Sequence, residues 1–213
     1  MAEYQLYCFA QSGNAYRAAL MLNLIGADWQ PVYVEFFKGV TRSAEFRATV
    51  NEMGEVPVLV HGNRKLSQSG VILKYLAQRS GRFLPQGEDE ELEAMRWIIF
   101  DNQRLNGSLA PYRYLYFLAK PQGDAAVLAF LRNRAAGALA ILDQRLAGRD
   151  FVLGAKPTIV DLSLVGYLYY APEEFGYDVT GEFSNVVAWL KRIKAMPRWA
   201  HPYDLMPGHP LPA

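Results

Sequence analysis

The chain has 213 residues, enough for one large domain or two smaller ones, and its 22 Lys and Arg nearly cancel 21 Asp and Glu to leave a net charge of +1. That balance gives no global field to gather nucleic acid or coat an anionic membrane, so partners must be recognised by shape and local chemistry. The single cysteine, Cys8, excludes an internal disulfide framework and a multi-cysteine zinc site, and it agrees with a reducing, cytoplasmic setting.

The opening MAEYQLYCFAQSGN has an acid at position three and no long apolar run. No later segment reaches the roughly 18 uninterrupted apolar residues of a membrane helix, so neither signal peptide nor anchor is expected. Residues 4–9 (YQLYCF) read as a buried strand and Gln11 to Asn14 as a turn. A helix follows, with Ala18, Leu22 and Ile25 at helical spacing and Gly26 at its stop. Trp29 to Phe36 alternates as a second strand, and strand, helix, strand implies a right-handed crossover with parallel pairing.

Val56 to Val60 is a third, β-branched strand; Gly62 and Asn63 make a two-residue hairpin turn, and Lys65 to Gln68 returns antiparallel. Ser69 is placed to cap a helix whose apolar face is Val71, Ile72, Tyr75 and Leu76, ending near Gly81. The first part is thus an α/β domain, β-α-β then β-β-α, over residues 1–80. Residues 81–87, within SGRFLPQGEDE, read as a linker, and an all-α helical bundle is expected over 88–213. In it Val127, Leu128, Leu131, Leu139, Leu142 and Leu146 keep helical spacing, and Thr158 with Asp161 forms a capping box in which Asp replaces the usual Glu or Gln. The Pro-rich end, HPYDLMPGHPLPA, reads as a loosely ordered tail or a wrap over the bundle.

Three places carry candidate chemistry. Ser12 lies between a strand and a helix, where free N–H groups and the helix dipole favour an anion; it is equally a plain N-cap. No His and Asp stand near it in sequence, so it is not evidently a hydrolase nucleophile, although a triad can be assembled across a fold; hydrogen-bond donation suits it better. Glu55, Val56 and Pro57 open a strand, with Pro57 either an ordinary trans proline or a cis one. Gln68 and Ser69 place an amide, a hydroxyl and helix N–H groups together, a combination that takes a carboxylate or simply caps a helix. His61, His201 and His209 lack metal-ligand spacing, so no metal is expected, and Cys8 within its strand reads as packing rather than as a reactive thiol.

The order of these places, and the stretches LYCFAQSGNAYRAALMLNLIGA, VNEMGEVPVLVHGNRKLSQSGVILKYLA and FVLGAKPTIVDLSLVGYL, resemble the cytosolic glutathione transferase superfamily over nearly the whole chain. The resemblance implies a thioredoxin-like first domain that binds glutathione. Ser12 matches the serine that hydrogen-bonds the glutathione sulfur in the serine-type classes. Val56 and the cis-proline position Pro57 match the backbone clamp on the cysteinyl part. Gln68 and Ser69 match the grip on the γ-glutamyl carboxylate, and Lys38 falls where a basic residue meets the glycine end. The usual N-P-x-G is here Asn51, Glu52, Met53, Gly54, which implies a less rigid loop entrance.

Conjugation of the glutathione thiolate to a hydrophobic electrophile is the leading function that the resemblance implies, with no metal. Asn14, two residues after Ser12, is similar to the arrangement in disulfide-reducing relatives, so a disulfide reductase or isomerase is the alternative; a non-catalytic ligand- or protein-binding member is the third reading. Tyr112, Arg113 and Tyr116 share a helix face and are candidates for the hydrophobic substrate, core packing or a dimer contact, with Tyr167 and Tyr170 as weaker candidates. The family pattern also implies a cytoplasmic homodimer in which Asp101 reaches a glutathione amine held by the partner subunit, and neither a nucleic-acid nor a membrane partner.

Overall fold

Side chains alternate along β1 (Tyr4–Cys8), so Tyr4, Leu6 and Cys8 are buried on one face of the sheet while Gln5 and Tyr7 stand on the other. The computed structural model describes residues 2–211. β1 pairs in parallel with β2 (Trp29–Tyr33) through the crossover helix α1 (Gly13–Ile25). It pairs antiparallel with β3 (Val58–His61), and β3 forms a hairpin with β4 (Arg64–Ser67). The sheet order β2-β1-β3-β4 is that of the expected thioredoxin-like domain. Gly62 and Asn63 are the two residues between β3 and β4, and α1 and α3 (Ser69–Ser80) both end on left-handed glycines, Gly26 at φ 74° and Gly81 at φ 69°.

Three local readings change. β2 stops at Tyr33, and the chain enters two 3₁₀ turns (Phe36–Lys38 and Val40–Arg42) and then α2 (Ala44–Thr49), whose N-cap Ser43 accepts from Phe46 N–H at 3.1 Å. The aromatic run that looked like strand instead stacks Phe36 on Phe9, with ring centroids 4.7 Å apart, and turns at Gly39. Ser69 is the first residue of α3 and not its cap; Gln68 holds the cap position without a side-chain capping bond to the helix. The buried face of α3 is Ile72, Leu73, Leu76 and Ala77, two neighbouring i, i+4 rows, which leaves Val71 exposed.

Contacts divide the chain into two units, Met1–Leu84 with Met196–Ala213, and Pro85–Ala195. The C-terminal segment is therefore not a wrap over the bundle. It packs on the first unit, along α1, because its backbone carbonyls meet donors there: Asn23 Nδ2 donates to Arg198 O, Tyr16 OH to Ala200 O and Ala10 N–H to Pro207 O. A short helix, α9 (Pro202–Leu205), lies within this segment.

The second unit is helical. α4 (Gly87–Phe100) runs through a π turn (Asp101–Leu105) into α5 (Asn106–Arg113) and a second π turn (Tyr114–Leu118). α6 (Ala125–Leu146), α7 (Ile159–Leu164) and α8 (Ser184–Lys194) complete it. α6 is long and apolar enough by length and composition to cross a membrane. Its middle carries Arg132 and Arg134, however, and its buried residues Ala135, Ala138, Leu139, Leu142 and Leu146 form a single stripe, the pattern of a helix packed on one face. The capping box at α7 is present, and Asp161 does more than cap. Its carboxylate accepts from Thr158 N–H (2.8 Å), Thr158 Oγ1 (3.3 Å), Val152 N–H (3.0 Å) and Trp189 Nε1 (2.9 Å), tying α7 to α8. Burial pushes this carboxyl's pKa up, and these hydrogen bonds oppose the push. Asp161→Ala leaves several buried donors unpaired, and at about 1–3 kcal/mol for each such group the loss is expected to reach about 3 kcal/mol or more, read as a lower urea midpoint.

Candidate active site

The strand register brings together segments that are distant in sequence. Tyr7 lies opposite Val58 and Val58 opposite Ser67, so the end of β1, the start of β3 and the end of β4 meet at one edge of the sheet. From that edge project the Phe9–Ser12 turn, the Val56–Pro57 pair and the Gln68–Ser69 pair.

Ser12 closes its turn through Ser12 N–H to Phe9 O (3.0 Å) and caps α1 by accepting Ala15 N–H on Oγ (3.1 Å). Both readings of this serine are thereby compatible: the oxygen is used as cap acceptor, and the hydroxyl proton is left to be donated. Asn14 sits half-buried in the first turn of the same helix, and that turn contains no acid to oppose a negative ligand.

The Val56–Pro57 bond is cis, and among the described residues no backbone hydrogen bond outside the regular elements engages Val56. The loop before it is not loose. Asn51, buried, donates from Nδ2 to Glu55 O (2.9 Å), accepts Met53 N–H on Oδ1 (3.2 Å), and accepts Gly54 N–H on its own carbonyl (2.9 Å). Gly54 has φ 68°, and a Cβ there would lie 2.8 Å from Thr41 O, so only glycine fits. The expectation of a less rigid entrance is thus corrected: Asn51 performs the tethering that the missing proline suggested was lost.

Gln68 holds a left-handed φ of 66°, unusual for a residue with a side chain, and its Nε2 donates to Glu55 Oε2 at 3.1 Å and lies 3.3 Å from Met53 Sδ. Glu55 and Gln68 are therefore brought together, both exposed at the site's rim. Ser69 is buried, and its Oγ accepts from Arg17 Nη1 at 3.1 Å. Sequence reading did not single out Arg17. It lies on α1 with no exposed surface, so a guanidinium stands behind the corner where a carboxylate is expected. The signal was available as an arginine in an otherwise apolar run, Ala15, Tyr16, Ala18, Ala19, five residues after Ser12.

Lys38 is not drawn into this group. It is exposed in the first 3₁₀ turn, where its Nζ meets Glu35 Oε1 at 2.6 Å and that carboxylate raises its pKa. An open hollow of about 350 Å³ under α2, lined by Arg47, Asn51, Glu52, Val58, Lys65 and Ser67 among others, includes none of Ser12, Val56, Gln68 or Ser69.

In the helical unit the candidate substrate residues are largely committed to packing. Arg113, buried, donates from Nε to Glu174 Oε2 at 2.8 Å and lies 3.8 Å over the Tyr170 ring. Tyr112 is buried and its OH donates to Phe175 O at 2.9 Å. Tyr116 stacks on Tyr112 at 5.8 Å and stays half-buried, whereas Tyr167 and Tyr170 are buried. Asp101 is corrected outright: it has no exposed surface and its Oδ2 accepts from Ser163 Oγ at 2.7 Å, so it points into its own subunit and does not reach a partner's ligand.

Residues 2–78 match the family described as Glutathione S-transferase, N-terminal domain, and residues 125–192 match Glutathione S-transferase, C-terminal domain. A solved glutathione S-transferase from Xanthobacter autotrophicus is 32% identical, with a TM-score of 0.84 over 96% of this chain and 97% of that one. The chain belongs to the glutathione transferase superfamily. A family member from Pseudomonas fluorescens, solved with two glutathione molecules bound, is 26% identical with a TM-score of 0.77, covering 92% of this chain and 90% of that one. The Disulfide-bond oxidoreductase YghU of Escherichia coli is 28% identical over 84% of this chain and 64% of its own length.

Within this superfamily member Cys8 is a packing residue, as expected. It is fully buried, and burial pushes its thiol up to about 12. At pH 8 the thiolate is then on the order of one part in ten thousand. The native protein is expected to be inert to an aromatic disulfide reagent at that pH, and to release its one thiol only after denaturation.

Proposed function

We propose that the protein is a cytoplasmic glutathione transferase in which Ser12 donates a hydrogen bond to the glutathione sulfur and holds it as a thiolate for attack on a hydrophobic electrophile. The observation that carries this reading is the division of labour at Ser12, whose oxygen is occupied by Ala15 N–H while its O–H remains to be donated at the α1 N-terminus. Lowering a thiol of pKa about 8.5 by two units requires about 2.7 kcal/mol in favour of the anion. A hydrogen bond to a charged group contributes about 1.5–3 kcal/mol and a helix N-terminus about 0.3–1 kcal/mol, so no metal or general base is needed.

The rest of the tripeptide has a place on the same sheet edge. Val56 N–H and C=O pair with the cysteinyl part. Gln68, Ser69 and the Arg17 charge behind Ser69 receive the γ-glutamyl carboxylate, with Glu55 fixing Gln68. Lys38, exposed on the first 3₁₀ turn beside Glu35, serves the glycine end. The half-buried Tyr116 contributes to the electrophile's wall, on the packed base formed by Tyr112 and Arg113. Ser12→Ala is expected to raise the pKa of the bound thiol by about 2 units and, through the lost thiolate, to cut kcat/KM at neutral pH about 25-fold. Measurement is by thiolate absorbance and a pH–rate profile with an aryl halide. An unchanged profile would end this reading.

Disulfide reduction is favoured as a second reading by Asn14, which lies on the first turn of α1 two residues after Ser12, and by the likeness to an oxidoreductase of 28% identity. Aryl halide and small mixed disulfide assayed side by side separate the two, and loss of activity in Asn14→Ala only toward the disulfide supports the second.

A homodimer is proposed from α4. Leu92, Met95 and Ile99 recur on one face of that helix and are 64%, 52% and 57% exposed, a stripe that a second copy would cover. Light scattering is expected to give twice the chain mass, and Met95→Glu to give the single-chain mass.

A further inference from the structure

The segment from Arg198 to His209 runs antiparallel to α1 and ends on the turn that delivers Ser12. It starts near the C-terminal end of α1, where Asn23 Nδ2 donates to Arg198 O at 2.5 Å. Tyr16 OH, in the first half of α1, donates to Ala200 O at 3.0 Å. At the far end Ala10 N–H donates to Pro207 O at 2.7 Å and Gln11 Nε2 donates to Gly208 O at 2.7 Å, across 197 residues of sequence. Ala10 and Gln11 are the two central residues of the Phe9–Ser12 turn, and they are 0% and 3% exposed. Central turn residues normally face water. Here the donors of both are met by consecutive carbonyls of one segment.

The segment is itself held firmly enough to act as a support. Tyr203 and His209 stack with centroids 3.7 Å apart and planes 8° from parallel, and His201 Nδ1 caps α9 by accepting Tyr203 N–H at 3.3 Å. Gly208 adopts φ 96° against the Tyr33 ring, where an added Cβ would lie 2.6 Å from Tyr33 Cε2. Its carbonyl is therefore aimed by a contact that only glycine permits.

We infer that Gln11 is a positioning residue and that the 207–208 backbone is a strap, together fixing the Phe9–Ser12 turn so that the Ser12 hydroxyl is held in line with the bound sulfur. The inference rests on the reading of Ser12 as the sulfur's hydrogen-bond donor. Within the turn itself the backbone bond that fixes Ser12 is Ser12 N–H to Phe9 O. A single such bond leaves the intervening peptide planes free to rotate, and a hydrogen bond to an anion weakens steeply as its angle departs from linear. The Ala10 N–H bond to Pro207 O holds one of those peptide planes, and the Gln11 side-chain amide ties the next residue to Gly208 O, so that the two together restrict the rotation. Gln11 acts through Ser12 and not on the substrate, so its loss raises the thiol pKa without removing a glutathione contact.

Two full-length variants test this from opposite sides of the contact. Gln11→Met keeps side-chain length and removes the donor; Gly208→Ala leaves the turn's sequence intact and displaces the carbonyl. Each is expected to raise the pKa of bound glutathione by about 1 unit and to lower kcat about threefold at neutral pH and about tenfold below pH 6, with KM for glutathione within about threefold. Amide exchange at Ala10 is expected to accelerate in both, and the double variant is expected to be no slower than the slower single one, since both break the same link. A native pH profile in Gln11→Met beside a shifted one in Ser12→Ala overturns the strap and leaves Ser12 in its role. A native profile in Ser12→Ala overturns both. If Gly208→Ala does not fold, Gln11→Met alone carries the decision.

Discussion

Antiparallel pairing of β3 with β1 is the constraint on which the site depends. It sets Leu59 opposite Leu6, two fully buried side chains, and a one-residue slip would turn that face of β3 out of the core. Because the register is fixed by the core, the position of Val56 relative to Ser12 is fixed as well. β4 inherits the register through the two-residue hairpin, and Gln68 inherits it from β4. The residues at the sheet edge then tune what the strands have placed. Asn51 and Gly54 shape the approach to Pro57, Glu55 holds the side chain of Gln68 in its left-handed backbone, and Arg17 bridges α1 to the head of α3.

Much of this was legible because it is written in local chemistry. Gly62 and Asn63 announce the hairpin, Gly26 and Gly81 the helix ends, and Thr158 with Asp161 the start of α7. What was not legible depends on partners far along the chain. Phe36 looked like strand because its alternation continues that of β2, but its stacking on Phe9 decides its conformation. Arg17 drew no notice in the sequence because its partner, Ser69, lies 52 residues away at the head of α3. Asn51 was read as half of an incomplete motif, whereas its side chain closes the loop by itself. The tail from 196 onward carries no periodicity at all; its place is set by carbonyls meeting donors on α1 and the preceding turn.

The two units use buried charge differently. In the helical unit Glu174 and Arg113 neutralise each other, Asp161 is ringed by donors, and Asp101 takes a hydroxyl at the start of a π turn. These groups specify how helices pack, since leaving any one of them without its partner strands a polar atom in the core. In the first unit Arg17 is the fully buried cation, and it stands at the functional edge, hydrogen-bonded to a hydroxyl. The same residue type is thus paired with a carboxylate in one unit and with a hydroxyl in the other.

The order of the units along the chain has a bearing on biosynthesis. Translation delivers residues up to Leu84 first, then the whole of Pro85–Ala195, and only afterwards the stretch that returns to the first unit. A ribosome-bound chain therefore carries a sheet and an α1 helix whose leading turn still lacks the carbonyls of Pro207 and Gly208. The serine loop is therefore finished only after the whole of Pro85–Ala195 has been made.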